Sequence, residues 1–227
     1  MTARTNSLER DGATVAAPAA GRRRYPRGQG HRLREDLIQA AGALLAESGD
    51  ARDLSLRAVA KKVGVAAPSI YRHFPDVEHL KVAVVERCFA ALAQARADAA
   101  AGIDDPAAAL LARARAYCRF ALAHPGDYQL MFGPDPDLPA ALIYDAGQSP
   151  GRAAFHNLVQ NIRDCQLAGA VRTDADPFEL AIAMWAFEHG LVTLRLSRPH
   201  FPWPPLDDTL DLALRHLLDL ATGPPRR

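Results

Sequence analysis

From Leu54 to Phe74 the sequence reads LSLRAVAKKVGVAAPSIYRHF, a stretch whose residue types suit contact with a polyanion. Ser55 stands where a helix would begin, so its hydroxyl and the free N–H groups of the first turn can meet a phosphate. Arg57, Lys61 and Lys62 follow and give that helix positive charge. Beyond Gly64 come Ala66, Ala67, Pro68 and Ser69, small enough for the backbone to approach a groove floor, where a thymine methyl can meet Ala or Pro carbons. Tyr71, Arg72 and His73 then supply donors for phosphate oxygens. Packing is the competing role along the same stretch. Val59, Ala60, Val63, Val65 and Ile70 read as core, Phe74 as a core aromatic, Tyr71 as a ring that packs while its hydroxyl reaches outward, and His73 alternatively as solvated surface.

Such residues are useful only on short helices held at a fixed angle. Leu33, Leu37, Ala40, Ala41, Leu44 and Leu45 recur at spacings of three and four, which predicts a first helix from His31 to a C-terminal Gly49. Ser55 caps a second helix, Leu56–Val63, which Gly64 stops, and Pro68 suits the first turn of a third helix running to His73. Phe74–Pro75 breaks the chain, and Asp76 opens a long helix to about Ala101. Helical signals continue from Asp105–Pro106 to His124, around Tyr128–Met131, weakly over 140–145, and over 151–168, 178–196 and 206–220. A Pro- and Asp-rich loop occupies 133–139. No segment alternates with period two, so the fold class is all-α: a three-helix N-terminal module, whose short helices joined at Gly64 have the helix-turn-helix form of a DNA-binding domain, followed by a larger C-terminal helical body. The expected divisions are a disordered basic arm over 1–30, the DNA-binding domain over 31–76, the helical body over 77–222 and a tail over 223–227.

Charge follows the same division. The 227 residues sum to a formal +1, but the stretch through Lys81 holds 14 basic and 9 acidic residues, leaving 13 basic and 17 acidic beyond it. A +5 module joined to a −4 body suits a polyanion binder attached to a part with another task. No apolar run reaches the roughly 18 residues of a membrane span, and the polar start lacks the apolar core of a secretory signal. Three separated cysteines, Cys88, Cys118 and Cys165, give neither a closed disulfide framework nor a metal knuckle; they fit a reducing cytosol, with no metal or cofactor expected.

The stretch Leu54–Phe74, with its Ile–Tyr–x–His–Phe core, resembles the DNA-binding signature of TetR-family transcriptional regulators. Downstream, His124–Pro125 through Tyr128, then Leu130–Met131–Phe132, and later Trp185 with His189–Gly190, resemble the branch with a Trp…His-Gly C-terminal domain. The resemblance implies phosphate contacts from Ser55, Arg57 and Tyr71, a groove-facing group of Ala67, Pro68 and Ser69, and a backbone contact from His73. It also implies a homodimer whose last two helices pair into a four-helix bundle, and a small-molecule pocket in each body. Two positions depart from the pattern. Val77 stands where many members place a phosphate-facing Lys, with Lys81 one turn later as its possible substitute, and Ala66 replaces the usual Ser or Thr cap.

In the body, Tyr117, Phe120, Tyr128, Met131, Phe155, Leu158 and Trp185 read as core first and pocket wall second, and His189 joins that pocket set. Glu188–His189 invites an acid–base reading and hence a small helical enzyme as a rival. Adjacent helical residues diverge by about 100°, however, and no nucleophile or metal motif accompanies them, so no catalytic residue is expected. His189–Gly190 fits close helix approach with the imidazole hydrogen-bonded inside. The 178–196 helix is apolar nearly all round and the last helix is overloaded with leucine, which argues self-association on its own. The sum is a cytoplasmic, homodimeric, ligand-released repressor on an inverted-repeat double-stranded DNA operator; the alternative is a helical adaptor or architectural DNA-binding protein without a ligand.

Overall fold

The computed structural model describes residues 29–48, 51–133, 149–171 and 174–220. The expected basic arm, the loop and weak helix over 133–145, and the tail fall wholly or almost wholly outside these residues. The described chain is helical: α1 (Gly30–Ser48), a 3-10 turn (Ala51–Asp53), α2 (Leu56–Val63), α3 (Ala67–Ile70), α4 (Val77–Ala100), α5 (Pro106–Ala123), α6 (Pro125–Phe132), α7 (Pro150–Leu167), α8 (Pro177–Ser197) and α9 (Leu206–Leu217). Among the described residues the one extended pairing is an isolated antiparallel bridge between Val171 and Leu220.

Local chemistry fixes the helix ends. Side chains of Ser55, Asp76, Asp105, Ser149 and Asp176 accept backbone N–H bonds at the starts of α2, α4, α5, α7 and α8. At the end of α2, Gly64 adopts φ 80°, which lets its N–H reach Lys61 O and the N–H of Val65 reach Ala60 O. That pair of bonds closes the helix and reverses the chain toward α3.

Helix α3 is shorter than the sequence suggests. It ends at Ile70, and Tyr71–His73 continue as a turn in which the N–H groups of His73 and Phe74 both bond Ile70 O at 2.9 Å. Ala66 offers no capping oxygen at its start, Pro68 contributes no N–H, and Pro75 steers Phe74 away from helix at its end.

The N-terminal core joins Leu37, Ala41 and Leu45 of α1 to Val59 and Ala60 of α2, Ile70 and Phe74. In the body α4 packs along α5, α5 and α7 pack against α8, and α9 lies on α5 and α8. Helix α1 also touches α4 and α6, so the two parts share a continuous core. Gly126 marks the closest approach: a Cβ there would stand 3.1 to 3.3 Å from the backbone of Leu45 and Ala46. Cys88, Cys118 and Cys165 are buried free thiols whose ionisation burial pushes up, to about 12 for Cys88 and about 11 for Cys165. No described helix is long and apolar enough to cross a membrane.

Candidate functional site

The N-terminal surface carries most of the residues singled out for DNA. Ser55, Arg57, Lys61, Pro68, Tyr71 and Arg72 are exposed, and Ala67, Ser69 and His73 are partly so. Tyr71 is 52% exposed, so its ring does not pack into the core that Phe74 fills. Among the described residues neither Arg57 nor Lys61 has an acidic partner, whereas Lys62 Nζ meets Glu47 Oε1 at 2.6 Å and ties α2 to α1. Lys62 therefore contributes less free charge than its sequence position suggests. The Ser55 hydroxyl oxygen accepts from Ala58 N at 3.2 Å, leaving its own hydrogen to donate outward. Partial burial, then Arg34 and Arg72, hold the His73 imidazole below its ordinary pKa.

Lys81 requires a correction. It lies on the inner side of α4 beside Leu80 and is 3% exposed, so it does not present a charge to phosphate in place of the lysine absent at Val77. Its position shares a helix face with the buried Val84, Val85 and Cys88.

A second site lies inside the body. A cavity of about 310 Å³ is walled by Phe89, Leu92, Tyr117, Phe132, Phe155, Leu158, Phe178, Ile182 and Trp185, with Arg96, Arg152 and Glu188 as its charged lining. Of the eight pocket residues expected from sequence, Tyr117, Phe155, Leu158 and Trp185 line it. Phe120 instead packs against His124 at 4.8 Å between ring centroids, and Met131 is buried in the core. His189 and Tyr128 form the layer behind the wall. The imidazole bridges Tyr117 Oη (2.9 Å from Nε2) and Tyr128 Oη (2.7 Å from Nδ1), and Tyr128 Oη reaches Thr193 at 3.4 Å. Burial lowers the His189 pKa to about 4, so the ring is neutral and needs one hydroxyl as donor and the other as acceptor.

Arg96 and Glu188 went unrecognised as lining because a lone Arg on a long helix and a Glu inside an apolar run carry no motif. The nearest signal is Glu188 itself, a carboxylate that directly follows the apolar run Leu180–Phe187 of α8. It is 3% exposed, and its Oε1 has no hydrogen-bond partner, as is true of Arg96 Nε. Burial pushes the Glu188 pKa up to about 8, against the opposing pull of Arg96. Leaving such groups unsatisfied costs about 1–3 kcal/mol each. Glu188 points its chemistry at the cavity while His189 is held by two tyrosines, so the adjacent pair forms no acid–base couple.

The sequence matches two family models: residues 37–84 match the bacterial regulatory proteins of the tetR family, and residues 110–220 match the tetracyclin repressor-like C-terminal domain. The chain belongs to the TetR family. Solved structures agree with this TetR-family fold. A protein of unknown function from Rhodococcus sp. RHA1 is 28% identical, with a TM-score of 0.71 over 84% of this chain and 96% of that one. The fatty acid degradation regulator FadR from Bacillus halodurans, 15% identical, gives 0.68 over 86% and 97%. The TetR family transcriptional regulator PfmR from Thermus thermophilus, 18% identical, gives 0.58 over 82% and 99%. This TetR-family chain is thus a transcriptional regulator with a helix-turn-helix DNA-binding domain.

Proposed function

We propose that the protein is a homodimeric, ligand-released repressor, with residues 31–76 as the DNA-binding domain and 77–222 as the effector and dimerisation body. The observation carrying the DNA half is the exposed, cation-bearing turn from Ser55 to Arg72, set on a buried core and reversed at Gly64. Ser55, Arg57, Tyr71, Arg72 and His73 are assigned to phosphates, and Ala67, Pro68 and Ser69 to the groove. Two copies with half-sites about 34–36 Å apart, or a multiple of that, would read an inverted repeat.

The dimer face follows from α8. Phe178, Ile182, Ala186, Gly190 and Leu194 form one exposed stripe at intervals of four, and Leu212 and Leu217 of α9 are exposed beside it. A Cβ on Gly190 would meet nothing within 4 Å in this chain, so the close approach expected at His189–Gly190 belongs to a second copy rather than to a helix of the same one.

Release is assigned to the cavity. Its wall residue Tyr117 is hydrogen-bonded through His189 to Tyr128 of α6, and α6 rests on α1 at Gly126. An effector that displaces Tyr117 would shift the support of α1 and the spacing of the two reading elements. It acts only by its differential affinity for the two arrangements.

The test is a gel-shift titration on the DNA flanking the protein's own gene, searched for an inverted repeat. Arg57→Ala and Arg72→Ala should each weaken binding about tenfold and lower the salt slope by roughly one, and Tyr71→Ala should weaken binding about tenfold with the slope unchanged. Unchanged affinity in all three would sink the interface assignment. Absence of any thermal shift across a metabolite screen would favour the adaptor reading over the ligand-responsive one.

A further inference from the structure

We infer that the body cavity is built for an amphipathic monocarboxylate, its apolar or aromatic part against Trp185, Phe155 and Phe132 and its carboxylate between Arg96 and Glu188. This rests on the reading of the cavity as an effector site and adds the chemical class of the guest.

The wall alone would accept any apolar molecule of suitable size, because six of the lining residues are aromatic. The polar end is selective. Arg96 and Glu188 both line the cavity, yet they make no ion pair with each other, and each keeps an unpartnered buried atom, Nε and Oε1. The two groups differ in how they can be satisfied. A guanidinium stays charged and can only donate, so it requires an acceptor, best an anion that takes two parallel N–H bonds. A carboxyl can hold its proton and donate. Burial favours that form of Glu188 at neutral pH, leaving one oxygen to donate O–H to an incoming carboxylate.

Charge balance separates the possible guests. With Glu188 neutral, the buried end carries the single positive charge of Arg96, and Arg152 adds another at the exposed part of the lining. A monocarboxylate cancels the buried charge. A lipophilic amine would need Glu188 ionised and would still sit beside Arg96 with one uncompensated cation. A neutral guest leaves the guanidinium without a counter-ion. Of the three, only the anion gives the Arg96 guanidinium a counter-ion at the buried end of the site, while Arg152 stays in contact with solvent.

The experiment is isothermal titration of the full-length protein with three probes of matched shape: 4-phenylbutyrate, 4-phenylbutyramide and 4-phenylbutylamine. The carboxylate should bind at least tenfold more tightly than the amide, and the amine most weakly. Arg96→Gln should bring the carboxylate down to the affinity of the amide while leaving the amide unchanged, and Glu188→Gln, which still donates, should retain the preference. The comparison in the unaltered protein stands even if Arg96→Gln fails to fold. An amide or amine that binds as tightly as the carboxylate overturns the inference and leaves the cavity as an effector site. Heat from none of the three overturns both readings.

Discussion

Glu188 and His189 are neighbours in sequence with opposite linkage to pH. The Glu188 carboxyl is raised to about 8, so between about 4.5 and 8 the unfolded chain binds fewer protons than the folded one. Its contribution is fully present below 4.5 and is lost as pH rises toward 8. The His189 imidazole is lowered to about 4, so between about 4 and 6.5 the unfolded chain binds more protons, and its contribution is lost as pH falls. The two oppose each other from about 4.5 to 6.5, and the net effect is a plateau with a decline on either side. In urea melts from pH 4 to 9, Glu188→Gln should flatten the alkaline decline and leave the acid limb. His189→Gln should flatten the acid limb, after an overall loss from the broken bonds to Tyr117 and Tyr128. A wild-type decline above pH 6.5 that survives Glu188→Gln would contradict this assignment.

The reading element is governed at its two ends. Gly64 holds φ 80°, where an L side chain costs about 1 kcal/mol or slightly more, so Gly64→Ala should lower stability by about that amount although no atom lies near its Cβ. Ala66 has φ −70° and ψ 140°, already the extended geometry of a capping residue, but no oxygen with which to cap. Ala66→Ser should therefore stabilise the domain by up to about 1 kcal/mol without moving the backbone, and tighten DNA binding in the same gel-shift titration. A destabilised Ala66→Ser protein would mean that the side chain is needed small for packing.

At the scale of the molecule, the cavity and the α8 stripe are not separate features. Phe178 and Ile182 are about half exposed and also line the cavity, so a second copy on α8 would lie against the cavity's own wall. Leu194 and Leu212 lie outside that wall, at 53% and 65% exposure, and serve to test the interface alone. On the proposed α8 interface, Leu194→Glu with Leu212→Glu should give a monomer in analytical ultracentrifugation where the unaltered protein gives a dimer, and should abolish operator binding with the helical content kept. A doubly substituted protein that stays dimeric would move the interface elsewhere. Steep salt dependence should follow the N-terminal part, where the exposed Arg57, Lys61 and Arg72 make no ion pair with a described residue.

Much of this was legible in the residues. Periodicity, caps and breakers are local, and they placed the described helices to within a few residues, together with the turn at Gly64 and the surface from Ser55 to Arg72. The resemblance carried by Leu54–Phe74 assigned the family from the same stretch. What the chain order could not say was which side of a long helix meets which neighbour. Lys81 looked available one turn after Val77, but α4 turns it inward. His189 and Tyr128 looked like wall residues, yet they stand behind Tyr117 as its support. Arg96 and Glu188, 92 positions apart in the sequence, meet one cavity only because α4 and α8 both face it. The sequence by itself determined the helices, their ends and the DNA-reading module, because these depend on contacts a few residues apart. Only the tertiary structure decided which charges are buried without partners, because that depends on elements brought together from distant parts of the chain.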